Sequence, residues 1–375
     1  MQNPFKKIMS ELNIGTSSGS SSDVAVGVDI GTSSIKLVEL KKKNGRAVLE
    51  TYSTLALGPY AQLDVGATTN LSAEILTKAI ADAVREGSIN TKNAAFSIPS
   101  SASLVFLLDL PSSIAEKDLP TIVPTEARKF IPVPISEVML DYWVVPHRQE
   151  GFYEEDPNVK TLPANTEVLT AVIHNETLAK FREIARSSGL EADVFEIEVF
   201  SSIRSSFSHE LSAVLLMDIG ASKTKLAIVE YGIVRTFHIV NRGSFDITKT
   251  ISQSLAVPFS KAEDIKRAVG LVGNGADRAA SDVAKLTVDY IISETQNVVS
   301  SFERKYNKPI SKIILTGAGA LLPGLRDHAA SVFKTEVMYG DPFAKAEVPE
   351  FVKNVLKETG PEFAVALGLA LRKLG

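Results

Sequence analysis

The stretch VAVGVDIGTSSIKLVEL, residues 24–40, reads as an apolar strand, a tight turn of small residues and a second strand. The chain writes nearly the same thing again as LLMDIGASKTKLAIVEYG, residues 215–232. Laid against each other, Asp29 to Leu37 matches Asp218 to Leu226 at Asp, Ile, Gly, Ser, Lys and Leu. An internal repeat of this kind points to two similar lobes, each presenting one copy of the same device.

The device has a physical logic. The apolar run places Asp29 or Asp218 at the end of a buried strand. Gly31 and Gly220 permit a sharp turn, and the small Ser and Thr residues that follow leave backbone N–H groups and hydroxyls free to cradle an anion. A carboxylate repels phosphate, so each Asp is suited to a hydrated Mg²⁺, an ion that keeps several waters and takes one or two carboxylates plus phosphate oxygens. Two such hairpins facing each other would clamp a polyphosphate. A single copy would read equally as an ordinary β-hairpin.

At 375 residues the chain exceeds one typical core. Its 45% hydrophobic and 22% charged content is that of a globular protein. A net charge of −4 gives no overall electrostatic footprint for nucleic acid. The absence of cysteine excludes disulfides, thiolate metal sites and a Cys nucleophile, and fits a cytoplasmic setting. No apolar run reaches the roughly 18 residues of a membrane span, and no signal-peptide pattern opens the chain.

Residues 1–22 read as a tail and a Gly/Ser/Thr linker; Phe5, Ile8, Met9 and Leu12 fall at helical spacing with Lys6 and Lys7 between them. The first lobe is expected over 23–97 plus 191–210, where Glu191–Val199 reads as a strand and Phe200–Phe207 as a helix, with a closing helix at 361–375. Its pattern is strand, strand, strand, then a helix from a Ser72 cap to Gly87, then a strand at Asn93–Ile98. Residues 98–190 read as an inserted α+β subdomain with a polar loop at Gln149–Asn165. The second lobe is expected over 211–243 plus 309–360, with a helical subdomain over 244–308, and Ser244–Gly270 reads as helical.

With these motifs assembled, the chain resembles the actin-like ATPases. DIGTSSIKL is similar to their first phosphate loop, DIGASKTKL to the second, and TGAGALLPGL to their adenosine motif. Within that superfamily, VGVDIGTSSIKLVEL, EARKFIPVPISEVMLDYWVV, FDITKTIS and KAEDIKRAVG resemble the PilM family of type IV pilus assembly proteins, relatives of the division protein FtsA. The implied fold is α/β: duplicated actin-like (ribonuclease H-like) lobes with an α+β insertion of the FtsA/PilM type.

Carried over residue by residue, the resemblance implies ATP and Mg²⁺ as cofactors. Asp29, Gly31, Thr32, Ser33, Ser34 and Lys36 match the first phosphate loop, and Asp218, Gly220, Ser222, Lys223, Thr224 and Lys225 the second. Glu263 and Lys266 match the residues near ribose and base; Gly317, Ala318 and Gly319 match the adenosine turn. Asp29 and Asp218 are the expected magnesium carboxylates, through water. Glu198, with Glu196 second, is the candidate for orienting an attacking water. The sequence departs from the family where Arg242-Gly243-Ser244-Phe245 replaces a Gly-Gly pair and Ala318 replaces a Gly. The implied role is a nucleotide-loaded scaffold with at most weak hydrolysis. It would bind the cytoplasmic tail of PilN in a type IV pilus or type II secretion platform, at the inner face of the inner membrane through that partner. An FtsA-like, filament-forming division protein is the alternative, and phosphoryl transfer to a sugar finds no catalytic carboxylate in the first lobe.

Overall fold

A computed structural model describes residues 23–145, 165–207 and 212–375. The expected tail, residues 1–22, and the expected polar loop as far as residue 164 lie outside the described residues.

The first sheet is built from β1 (Val24–Ile30), β2 (Ser34–Lys43), β3 (Arg46–Ala56), β4 (Asn93–Ile98) and β8 (Glu191–Ile197), in the order β3-β2-β1-β4-β8. The second contains β9 (Val214–Ile219), β10 (Thr224–Glu230), β11 (Ile233–Val240), β12 (Lys312–Thr316) and β13 (Glu336–Tyr339), in the order β11-β10-β9-β12-β13. Each sheet is an antiparallel meander whose first strand then pairs in parallel with a later one. The duplication seen in sequence is therefore a duplication of topology. β1 and β9 are buried on both faces and read as unbroken apolar runs for that reason.

The insertion contributes a third sheet, β5 (Ser103–Pro111), β6 (Val138–Val144) and β7 (Asn165–His174), in the order β5-β7-β6. Leu108, Leu110 and Val172 pack with Leu119, Val123 and Ala127 of a helix at Leu119–Ala127, a small core of its own. Val105, Leu169, Ala171 and Ile173 instead join the core of the first lobe, beside Leu178 and Phe181 of the helix Asn175–Ser187. That same core takes in Val214, Leu216, Ala227 and Val229 of the second sheet, so the lobes share apolar packing at their junction.

A helix at Ala364–Leu374 packs across β1, β2 and β4 and against the helix Glu198–Ser206. Its approach requires Gly27: a Cβ there would stand 1.9 Å from the Ala366 carbonyl oxygen. Two expectations change. The helical reading of Ser244–Gly270 resolves into helices at Ser244–Leu255 and Phe259–Val269; Ala256 turns left-handed at φ 51°, and Pro258, which has no N–H to donate, precedes the second. The strand expected through Val199 ends at Ile197, so Glu198 opens a helix.

Candidate functional site

The two hairpins repeat each other in atomic detail. In β1–β2, Asp29 pairs across with Lys36; in β9–β10, Asp218 pairs across with Lys225. The Gly31 N–H donates to the Ser34 carbonyl and the Gly220 N–H to the Lys223 carbonyl, both at 3.0 Å. A Cβ on Gly31 would meet the Ser34 oxygen at 3.0 Å, and one on Gly220 the Lys223 oxygen at 3.1 Å. Side chains larger than hydrogen would crowd both turns.

The turns face each other across one cleft. Thr32 Oγ1 donates to Ser222 Oγ at 3.2 Å, joining them directly. Gly31, Thr32, Ser100, Ser101, Glu198, Gly220, Ser222, Lys223 and Lys225 line this narrow space. Ser100 Oγ is buried with no hydrogen-bond partner, a polar group of the kind that ligand or water satisfies.

The charged centre of the cleft is Lys225. Its Nζ lies 2.8 Å from Asp218 Oδ2 and 3.0 Å from Glu198 Oε2. Burial alone would lower its pKa, but Asp218 and then Glu198 outweigh that and hold the ammonium well above the ordinary lysine value. Glu198 Oε1 accepts from the Ser100 N–H at 2.8 Å, so both of its oxygens are engaged. Asp29 Oδ1 accepts from Ser97 Oγ at 3.0 Å. Burial raises its pKa and neighbouring Glu198 adds to that, against the pull of Lys36 and Lys225. Lys36 Nζ donates to Ser34 Oγ at 3.0 Å.

Other residues singled out in the sequence gather around this centre to different degrees. Thr224 is fully buried and its Oγ1 donates to the Arg242 carbonyl at 2.9 Å, tying down the loop before the helix Ser244–Leu255. The Arg242–Phe245 departure is accommodated by close docking: the Ser244 and Phe245 N–H groups donate to the Gly220 and Ala221 carbonyls, each at 2.9 Å, and a Cβ on Gly243 would stand 2.4 Å from the latter oxygen. Gly317, at φ 82°, lies where a Cβ would meet Asp218 Oδ1 at 2.4 Å, which places the turn Gly317–Gly319, with Ala318 between, against the second hairpin.

Glu263 and Lys266 form a buried pair at 2.7 Å, and Glu263 also accepts from Thr248 Oγ1 (2.6 Å) and Arg267 Nε (2.8 Å). Burial pushes the Glu263 carboxyl up, but Lys266 and these donors hold it below the usual range. The pair meets the first lobe through Gly66, where a Cβ would stand 2.9 Å from Glu263 Cδ. The same first-lobe loop reaches the turn of the first hairpin, since the Thr69 N–H donates to the Thr32 carbonyl at 2.8 Å. Ser33 supports the turn from behind by accepting the Leu57 N–H at its carbonyl, 2.8 Å.

Glu196 lies elsewhere. Its carboxylate is clamped by Arg204 Nη1 and Nη2, both at 2.7 Å, and by Arg372 and Ser201. It binds two helices to each other and does not line the cleft. Ser97, Ser100, Gly66 and Thr69 are site residues that the motif reading missed. Ser97 alone carried a signal, as the one hydroxyl inside the apolar run of β4.

The chemistry of this donor set fits a polyphosphate with a hydrated divalent cation. Two turns offer backbone N–H groups and hydroxyls, Lys36 and Lys225 supply positive charge, Asp29 and Asp218 stand at the strand ends, and Glu198 lies beside Lys225. Among the described residues no group of three or more metal-binding side chains occurs. A cation here would therefore depend on water and phosphate oxygens, the habit of Mg²⁺.

Comparison with known proteins follows the same lines. The model of the family described as "Type IV pilus assembly protein PilM" matches residues 27–374. Among solved structures, the PilM–PilN type IV pilus biogenesis complex superposes with a TM-score of 0.78 at 24% identity, covering 95% of this chain and 100% of that one. MreB5 of Spiroplasma citri bound to ADP gives 0.52 at 11% identity, covering 93% and 95%. These likenesses establish the duplicated actin-like fold. Among curated proteins, FtsA of Neisseria meningitidis is 26% identical over 204 residues, 48% of either chain, and FtsA of Borreliella burgdorferi is 22% identical over 394 residues, 94% of this chain and 91% of that one. The match spans about half the length of the Neisseria protein and 52% of FtsA from Pseudomonas aeruginosa.

Proposed function

This chain belongs to the PilM family of type IV pilus assembly proteins, and from that membership we propose that it is a nucleotide-loaded scaffold. ATP with Mg²⁺ lies between its lobes, and the inserted subdomain grips the cytoplasmic tail of a membrane partner. The observation that carries the nucleotide reading is the meeting of two matched Asp–Gly hairpins across one cleft, Thr32 against Ser222. The Gly31–Ser34 and Gly220–Lys223 turns, with Lys36 and Lys225, would hold the phosphates. Glu263 and Lys266 would hold the ribose, and Gly317, Ala318 and Gly319 the base. Magnesium, held through water by Asp29 and Asp218, would neutralise phosphate charge. Glu198 has both oxygens committed, to Lys225 and to Ser100. Its ion pair with Lys225 holds the carboxylate away from an attacking water, which favours a binding role with slow hydrolysis over rapid turnover.

The partner reading rests on family membership and on the PilM relative solved as a complex with PilN. We assign the PilN tail to the insertion because that unit carries no phosphate turn of its own, and a strand at the edge of a three-stranded sheet suits an extended peptide. No helix among the described residues is long and apolar enough to cross a membrane. Attachment to the inner face of the inner membrane would then run through the partner.

A ligand that binds only the folded state raises stability by mass action, about 2.7 kcal/mol at a hundredfold excess over Kd. Protein stripped of nucleotide should melt higher with millimolar MgATP, and Lys225→Met should reduce that shift. No shift in the stripped protein refutes the nucleotide reading. The partner reading is tested separately, by anisotropy titration of a labelled PilN N-terminal peptide; absence of binding at tens of micromolar peptide refutes it.

A further inference from the structure

The insertion leaves the first lobe and returns to it at the cleft. The chain departs from β4 through Pro99 and a single 3₁₀ turn, Ser100–Ala102, which leads into β5. It comes back as β8, which ends at Ile197 beside Glu198. β4 and β8 are parallel neighbours with Ile98 opposite Ile197, so Ser100 and Glu198 meet just beyond their ends. The Ser100 N–H donates to Glu198 Oε1 at 2.8 Å, and Ser100, Ser101 and Glu198 all line the narrow space between the two hairpin turns. The root of the insertion is thus a wall of the cleft.

The hydroxyls on either side of Ser100 are engaged. Ser97 Oγ donates to Asp29 Oδ1 at 3.0 Å and accepts the Ile30 N–H at 3.2 Å. Ser103 Oγ reaches the Pro99 and Ser100 carbonyls at 3.4 and 3.3 Å. Ser100 itself is 1% exposed, yet its Oγ has no hydrogen-bond partner in the protein. Burying a hydroxyl unpaired is unfavourable, and the rare groups left so in native proteins mark functional positions or places for water and ions.

Position decides which part of a ligand this hydroxyl meets. None of Glu263, Lys266, Gly317, Ala318 and Gly319 lines the space beside Ser100; the two hairpin turns and Lys225 do. A nucleotide with its base on Gly317–Gly319 brings only the end of its phosphate chain here. Resting on the nucleotide reading above, we propose that Ser100 is a further binding residue of the cleft, whose hydroxyl donates to the terminal phosphate of a bound nucleoside triphosphate. A terminal phosphate presents three strong acceptor oxygens. Lys225 is already engaged by Asp218 and Glu198, so Ser100 supplies a donor that is not committed elsewhere. A diphosphate ends short of it. Ser100 therefore distinguishes triphosphate from diphosphate, and does so at the root of the insertion.

The test uses the full chain, stripped of nucleotide, with MgATP and MgADP titrated separately by calorimetry. Ser100→Ala should weaken MgATP binding by roughly tenfold or more, the scale of a hydrogen bond to a charged group, and leave MgADP binding unchanged. Without nucleotide the variant should melt no lower than wild type, because the hydroxyl it removes has no partner in the protein. Ser103→Ala loosens the same turn without touching that hydroxyl, and should move both nucleotides alike. The role of Ser100 is overturned if Ser100→Ala weakens both nucleotides equally or neither, if it lowers the melt of the free protein, or if Ser103→Ala reproduces the split. Failure of the wild type to bind either nucleotide refutes the nucleotide reading itself, and the role of Ser100 with it.

Discussion

Glu196 and Glu198 stand two residues apart and meet different surroundings. Glu198 faces the cleft and lies between Lys225 and the Ser100 N–H. Glu196 is buried to 4% exposure behind it, held by Arg204 and Arg372. Burial pushes the Glu196 carboxyl up, but the guanidiniums outweigh burial and hold it below its ordinary value of 4.5. A depressed carboxyl contributes stability at pH above the unfolded value and loses it as pH falls through the folded one. Glu196→Gln leaves two half-buried guanidiniums without their counter-charge, at a cost of about 3 kcal/mol near neutral pH. The gap between variant and wild type should close as pH drops below about 4.5. Urea unfolding at a series of pH values checks this; a gap that widens on acidification contradicts it. Nucleotide binding should survive the substitution, since Glu196 does not line the cleft.

At the scale of elements, the unit that matters is a hairpin pressed by a helix. The two turns align only if β1 is fixed, and β1 is fixed by the helix Ala364–Leu374 lying across it. The contact is backbone to backbone: a Cβ on Gly27 would approach the Ala366 oxygen to 1.9 Å and the Ala370 nitrogen to 2.8 Å. Neither is the flexible end of a side chain. Gly27→Ala must therefore push the whole helix outward, which places it at or above the ~3 kcal/mol upper end of ordinary overpacking. We expect a large loss of stability together with weakened nucleotide binding, read by urea unfolding and by the MgATP melt shift. A variant with wild-type stability would mean that helix and strand are looser than the packing indicates.

Across the whole molecule, the insertion is tied to both lobes. The second sheet reaches it through Arg235 on β11, which pairs with Glu167 on β7 and with Glu230 at 3.3 Å. Tyr306, on the long helix Arg278–Tyr306, donates to Glu167 at 2.9 Å; burial, and then the Glu167 carboxylate, push its hydroxyl up to about 12, so it stays a donor. Lys305 adds an exposed contact to Asp109 on β5 at 3.3 Å. A shift of the second lobe would thus be felt in the sheet that we assign to partner binding. Arg235→Met leaves half-buried Glu167 and buried Glu230 without the cation they share. Amide exchange in β5 and β7 should speed up while MgATP binding is retained. Unchanged protection of those strands would show that the apolar junction alone holds the insertion.

What the sequence determined by itself was the duplication. Two copies of Asp-Ile-Gly followed by small residues, Lys and Leu are enough to specify two strand–turn–strand units, because buried runs, a glycine where a Cβ would crowd the turn, and cross-strand Asp–Lys pairs are local properties of a hairpin. The turn Gly317–Gly319 was legible for the same reason, as glycines that follow an apolar strand. Tertiary structure decided which polar groups meet. Glu198 could not be read as Lys225's partner, since 27 residues and a lobe boundary separate them. Glu196 could not be read as a clamp until Arg372, 176 residues onward, was brought to it. Gly27 looked like any strand glycine until a helix from the other end of the chain crossed it. Contacts of this kind leave no period or spacing in the sequence; they exist only once burial brings distant segments within reach of one another.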